Sequence, residues 1–142
     1  MADTFKTILS DAIPPFVLAL DIGSTATRGS LYDARGLPIA GSKLRIAHAF
    51  TTAADGTSTV DPDDITEEVA QIIDYTMQAA KDERIGGVAI DTFAANLLGV
   101  DAQGWAITPC YTYADSRCAA QVDALLATEA TAGFRLGMSV TR

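Results

Sequence analysis

The stretch Phe16-Val17-Leu18-Ala19-Leu20-Asp21-Ile22-Gly23-Ser24-Thr25-Ala26-Thr27-Arg28 decides how the rest of the chain is read. Its first five residues form a continuous apolar run, the pattern of a strand buried on both faces and far short of the roughly 20 residues that a bilayer span needs. Asp21 ends the run, a glycine and hydroxyl loop follows, and Thr27 to Asp33 reads as a second strand. Such a turn has a chemical use. Gly23 lets the backbone come close to a ligand, backbone N–H groups and the hydroxyls of Ser24, Thr25 and Thr27 can donate to phosphate oxygens, and Arg28 offsets their charge. Asp21 on its own repels phosphate and becomes favourable when a magnesium ion lies between the two, usually through water. The same residues also read as a plain polar hairpin turn, since Asp, Gly, Ser and Thr are common turn formers, and both readings stand at this point.

Working outward, residues 1–15 are irregular in pattern and end in Pro14-Pro15, which reads as an N-terminal extension. Asp33-Ala34-Arg35-Gly36 is a turn leading to a third strand around Lys43 to Phe50, so the first three strands form an antiparallel meander. Thr51 to Thr59, with Asp55-Gly56 inside it, is a loop by composition. A helix follows, capped by Asp61, with Pro62 at its first position and Asp64 in its first turn. Its apolar face is Ile65, Val69, Ile72, Ile73, Met77 and Ala80, and its end falls near Arg84. Ile85 to Ile90 reads as a fourth strand and Leu97 to Val100 as a fifth, closed by Asp101-Ala102-Gln103-Gly104. Cys110 to Tyr113 is a candidate sixth, and Asp115 a cap for a second helix through Cys118, Val122, Leu125 and Leu126. Thr128 to Arg142 is only weakly periodic. This order predicts an α/β fold of the ribonuclease-H-like half-domain type: a mixed sheet with an N-terminal three-stranded antiparallel meander and flanking helices. A Rossmann alternation would give each strand its own helix.

Composition closes off other classes. The chain has 142 residues, 49% of them hydrophobic, enough for one modest core. Eighteen acidic against ten basic residues give a net charge of -8, and without a run of Lys and Arg a nucleic acid is not expected as a partner. No charged-then-apolar leader opens the sequence, so a cytoplasmic protein with no membrane partner is the expectation. Cys110 and Cys118 lie near no histidine pair and are expected to be reduced, mostly buried thiols. No Gly-x-Gly-x-x-Gly occurs, and Gly36-x4-Gly41-Ser42-Lys43 has lysine and serine in the wrong order for a P-loop. His48, in a strand without a visible partner for base chemistry, reads as structural. Trp105, just beyond a turn, reads as a packing residue rather than a sugar platform, and the acidic stretch Asp61 to Glu68 as a solvated helix face.

Three blocks together resemble the FGGY carbohydrate kinases, the family of glycerol, xylulose and gluconate kinases. Phe16 to Arg28 is similar to that family's first phosphate motif. Leu97-Leu-Gly-Val-Asp-Ala-Gln-Gly104 followed by Ile107-Thr-Pro-Cys-Tyr-Thr-Tyr-Ala-Asp-Ser-Arg117 is similar to its aspartate-turn-glycine hairpin and its proline, aromatic, Asp-x-Arg segment. Val60-Asp-Pro62 before a long helix also fits. The resemblance spans roughly residues 16–142 and implies the N-terminal part of the N-terminal domain of an actin-like ATPase fold.

On that resemblance Asp21, Gly23, Ser24, Thr25 and Arg28 hold magnesium and the phosphates of ATP, with Asp21 on the metal. Asp115 and Arg117 lie near the sugar cleft, where Arg117 either meets substrate or braces Asp115. The Met-His or Arg-Glu pair of known subfamilies is replaced by Ala94-Ala95, two short apolar side chains where sugar hydroxyls need partners, which argues against those subfamilies' usual substrates. Thr92 and Asn96, with Asp91, flank the gap as substitutes or as plain strand-end and turn residues. The resemblance puts the catalytic base, an aspartate of a Gly-Asp-Gln-type motif, and the adenosine site beyond Arg142. The expectation is therefore a parent kinase acting on a sugar or polyol, with the 142 residues alone inactive and able to self-associate through exposed apolar surface. A nucleotide-driven actin-like ATPase and a non-catalytic remnant or interaction module are the alternatives.

Overall fold

Alternation along the first strand, β1 (Phe16–Ile22), sends Phe16, Leu18 and Leu20 to one face, where all three are buried. A computed structural model describes residues 5–81 and 83–127. In it β1 pairs antiparallel with β2 (Ala26–Tyr32), and β2 antiparallel with β3 (Leu44–Ala47), which gives the expected meander. On its other side β1 pairs in parallel with a later strand, β6 (Ile85–Thr92), so the four-stranded sheet runs β3-β2-β1-β6 and is mixed. β1 is therefore an interior strand whose C-terminal end carries Asp21. Burial on both faces is not observed: Val17 and Ala19 on the second face are only half-buried.

One helix covers the first face. α1 (Pro62–Ala80) starts where Asp61 accepts the Asp63 N–H, with proline in the first turn. It ends four residues earlier than its pattern suggests, because Lys81 takes a left-handed conformation (φ 56°) that stops the helix. Ile72 and Ala80 join Phe16, Leu18, Leu20, Leu31 and Ile39 in the core. Thr76, not Met77, completes the buried face; its hydroxyl donates to the Ile72 carbonyl, while the Met77 side chain is exposed. The helix lies close to β2 at Gly29, where any Cβ would overlap the Ile72 side chain.

The segment 51–59 holds two short strands rather than a loop. β4 (Thr51–Thr52) and β5 (Ser58–Val60) flank a turn in which Asp55 accepts from the Thr57 N–H and hydroxyl, with Gly56 at φ 91°. β5 then pairs with β7 (Cys110–Tyr111), making a second sheet β4-β5-β7. Leu97 to Val100 is not a strand. Leu97 bridges Tyr111 and Val100 bridges Ala106, but between them the Gly99 N–H bonds the Thr108 hydroxyl instead of a backbone carbonyl, which interrupts the ladder. The Asp101 to Gly104 turn forms as read, Asp101 accepting from Gln103 and Trp105.

α2 (Ala119–Leu126) begins after Cys118, and Asp115 does not cap it. Cys118 is exposed and Cys110 half-buried, in contrast to the buried thiols expected. Trp105 is also exposed and packs into no core among the described residues. Residues 5–13 lie along the β2–β3 connection, where Thr7 exchanges backbone bonds with Pro38 and Ala40. The weakly periodic 128–142 tail lies outside the described residues. No helix among those residues is long and apolar enough to cross a membrane.

Candidate functional site

The β1–β2 turn is closed by a single backbone bond, Gly23 N–H to the Ala26 carbonyl at 3.0 Å. Beyond it, the Ser24 and Thr25 N–H groups and hydroxyls donate to nothing among the described residues, so four donors stand ready at the loop tip. A Cβ on Gly23 would come within 3.5 Å of both Asp21 and Arg28, which places those two side chains over the loop. They meet across the strands in register, Arg28 Nη1 donating to Asp21 Oδ2 at 2.6 Å. Their side chains are 36% and 49% exposed, so the pair contributes only about 0.2–1 kcal/mol and an incoming phosphate can take Arg28 from it. Asp21 Oδ1 accepts no hydrogen bond among the described residues and is open to a hydrated cation.

Thr27 does not belong to this set. Strand alternation turns it to the helix side, where it is fully buried and its hydroxyl donates to Glu68 at 2.6 Å. Asp91, by contrast, lies beside Asp21 in the parallel β1–β6 register, so two carboxylates stand at neighbouring strand ends. Both line a cavity of ≈ 330 Å³ with Arg28, Ser30, Tyr32 and Lys43. Among the described residues no cluster of three or more acids, histidines or cysteines is placed to hold a metal on its own. A cation bound here would have to take most of its shell from water or a ligand's oxygens.

The second group forms around β7. Arg117 clasps Asp115 with both its Nε and Nη2, at 3.0 and 2.7 Å, and its guanidinium lies over the Tyr111 ring, 5.4 Å from the centroid. The Asp115 side chain is 11% exposed, and it also accepts from the Ser58 N–H of β5 and the Arg117 N–H. These donors, Arg117 first and Ser58 second, hold its carboxyl well below the usual range, and the pairing raises Arg117 in turn. The clasp therefore braces Asp115, and Arg117 remains at the edge of a cavity of ≈ 670 Å³ lined by Ala95, Leu97, Tyr111, Tyr113 and Gln121. Thr92 and Asn96 are not among its lining residues. Thr92 ends β6 opposite Ile22, its N–H held by Asp91, and the Asn96 amide folds back to donate to the Phe93 carbonyl. Asn96 Oδ1 is left buried without a partner. Ala95 sits at φ 58° beside the cavity.

An aromatic bridge joins the two groups. Phe50 packs against Phe93 at 5.5 Å and Tyr113 at 6.3 Å between centroids, and stacks with His48 at 6.4 Å. His48 in turn reaches both the loop and the helix, with Nε2 2.9 Å from the Gly23 carbonyl and Nδ1 2.9 Å from Glu68. Sequence reasoning missed this contact because it assigned Glu68 to a solvated face. The signal was present: Glu68 lies four residues before Ile72, on the apolar stripe of α1.

Comparison with known proteins gives the family. Residues 16–135 match the N-terminal domain of the FGGY family of carbohydrate kinases. A gluconokinase of Bacillus licheniformis is 28% identical over 102 residues, covering 72% of this chain and 20% of that protein. The chain thus spans about 20% of the length of the curated relatives it matches. Among solved structures, a gluconate kinase from Lactobacillus acidophilus superposes with a TM-score of 0.67 at 25% identity, covering 78% of this chain and 22% of that one. A xylulose kinase from Rhodospirillum rubrum, 21% identical, does so at 0.71 over 82% of this chain and 24% of its own, and supports the actin-like ATPase fold. On its match across residues 16–135, this chain belongs to the FGGY family of carbohydrate kinases.

Proposed function

We propose that the chain carries the phosphate loop and one wall of the sugar cleft of a kinase that transfers a phosphoryl group from ATP to a hydroxyl of a sugar or polyol. The observation that carries this reading is a set of open donors beside an open carboxylate oxygen: the Ser24 and Thr25 donors stand at the loop tip next to Oδ1 of Asp21, whose Oδ2 is held by Arg28. Gly23 keeps the loop narrow enough for phosphate oxygens to approach, and Arg28 neutralises their charge once it leaves Asp21. A bound magnesium ion would supply the positive charge that lets Asp21 face phosphate. In the second group, Asp115 orients Arg117, and Tyr111 and Tyr113 offer flat faces to a sugar ring. Thr92 and Asn96 act at the cleft only after Asn96 turns from Phe93, which would give its unpartnered Oδ1 a use. A cytoplasmic setting, where ATP is supplied, belongs to the same reading.

The test is sugar-dependent ADP release by the complete reading frame, screened over gluconate, xylulose, glycerol and related polyols. The expected result is turnover with at least one of them, lowered roughly 100-fold in Asp21→Asn. ATP turnover that ignores every sugar but responds to peptide or to polymerisation would instead favour a nucleotide-driven ATPase. The 142 residues alone are expected to release no ADP, because none of the described residues is assigned the role of catalytic base in this reading.

A further inference from the structure

The histidine beside the phosphate loop has a proton count that its neighbours fix. A backbone carbonyl can only accept, so the nitrogen facing Gly23, Nε2, must carry a proton. The other nitrogen, Nδ1, faces Glu68 Oε2, an oxygen that already accepts the Thr27 hydroxyl. A neutral ring with its proton on Nε2 would set a lone pair against a carboxylate. The 2.9 Å contact therefore requires a second proton lying between Nδ1 and Oε2. Both side chains are enclosed, 9% and 12% exposed, so water does not readily replace that bond.

We infer that His48 is a positioning residue for the phosphate loop, its doubly protonated contact pinning the Gly23 carbonyl to Glu68 on α1 and so holding the Ser24 and Thr25 donors outward. With Gly23 N–H on Ala26 and Gly23 C=O on His48, both backbone groups of the residue before the loop tip are fixed. The His48 backbone adds a third tie, its N–H donating to the Thr25 carbonyl at 3.2 Å. The remaining charges around the ring are Asp61, Asp64 and Glu67, which line the same cavity from α1 and its cap, and Arg28 and Asp21 on the far side of Gly23. Loss of the shared proton removes the attraction to Glu68 and loosens the loop. The inference rests on the phosphate reading for what the loop binds, but not for how the loop is held.

The chain contains a single histidine, so its ring signals in a nitrogen-15 NMR spectrum belong to His48 alone. The measurement is a pH titration of those signals and of the Gly23, Ser24 and Thr25 amides in the whole chain, with and without magnesium and inorganic triphosphate. The expected result is two ring N–H protons while the Glu68 contact holds, and loop amides that shift together with the ring. Glu68→Gln should uncouple the two. His48→Phe should keep the stack on Phe50 but weaken triphosphate binding about tenfold, and His48→Gln should recover part of it by donating to Gly23. Loop amides that stay fixed while the ring loses its proton would overturn the inference, as would a ring bearing one proton throughout. Coupled ring and loop signals with no response to triphosphate would uphold the latch and remove the phosphate reading instead.

Discussion

Gly29 and Asp33 are two positions in β2 and its turn where one atom decides the outcome. A Cβ at Gly29 meets the Ile72 side chain of α1, so Gly29→Ala must push the helix outward and should cost about 1–3 kcal/mol, read as a lower thermal midpoint. Asp33 has a fully enclosed carboxylate. Burial raises its pKa, and the Arg35 side chain with the N–H groups of Leu37, Ile13 and Arg35 outweighs that, leaving it at about 2 against an ordinary 3.8. Because the folded value is the lower one, its stabilisation is complete above the unfolded pKa and is lost as pH falls from about 4 towards 2. Asp33→Asn should therefore lower the melting temperature at neutral pH and converge on the unmodified chain in acid. A gap that stays constant down to pH 2 would contradict the assignment.

At the scale of elements, α1 and the β1–β2 hairpin were legible because each obeys one strong rule. The helix has a cap, a proline and an apolar stripe, and the hairpin has an apolar run ended by Asp21 and Gly23. Of the second sheet only β7 was legible, within the Cys110 to Tyr113 run; β4 and β5 are two and three residues of threonine, serine and valine, and only their mutual pairing makes them strands. The site divides in the same way. Asp21, Gly23 and Arg28 lie on contiguous sequence and were found there, whereas the approach of Asp91 to Asp21 needs the β1–β6 register and that of Glu68 to His48 needs helix-on-sheet packing. The stripe itself can be tested. Ile72→Ala should lose about 2–5 kcal/mol and Met77→Ala less than about 0.5, measured by denaturant unfolding; equal losses would mean the helix is rotated from the orientation described.

For the whole molecule, the sheet is covered unevenly. α1 packs mainly on β2 and β3, while β6 forms the sheet edge among the described residues, with Val88 and Ile90 58% and 65% exposed. An apolar edge strand of this kind pairs readily, so the 142 residues alone should self-associate, and more strongly as salt screens the net charge of -8. Sedimentation or light scattering across a salt series checks this; a monomer at every concentration and ionic strength would show that the edge is protected. The central claim concerns the loop from Asp21 to Arg28. Its most direct test is a crystal structure of the complete reading frame with magnesium and ADP. The account predicts nucleotide phosphates within hydrogen-bond reach of the Ser24 and Thr25 N–H groups, the ion on the Asp21 side and Arg28 released from Asp21. A nucleotide bound elsewhere, with the Arg28 to Asp21 pair intact, would contradict it.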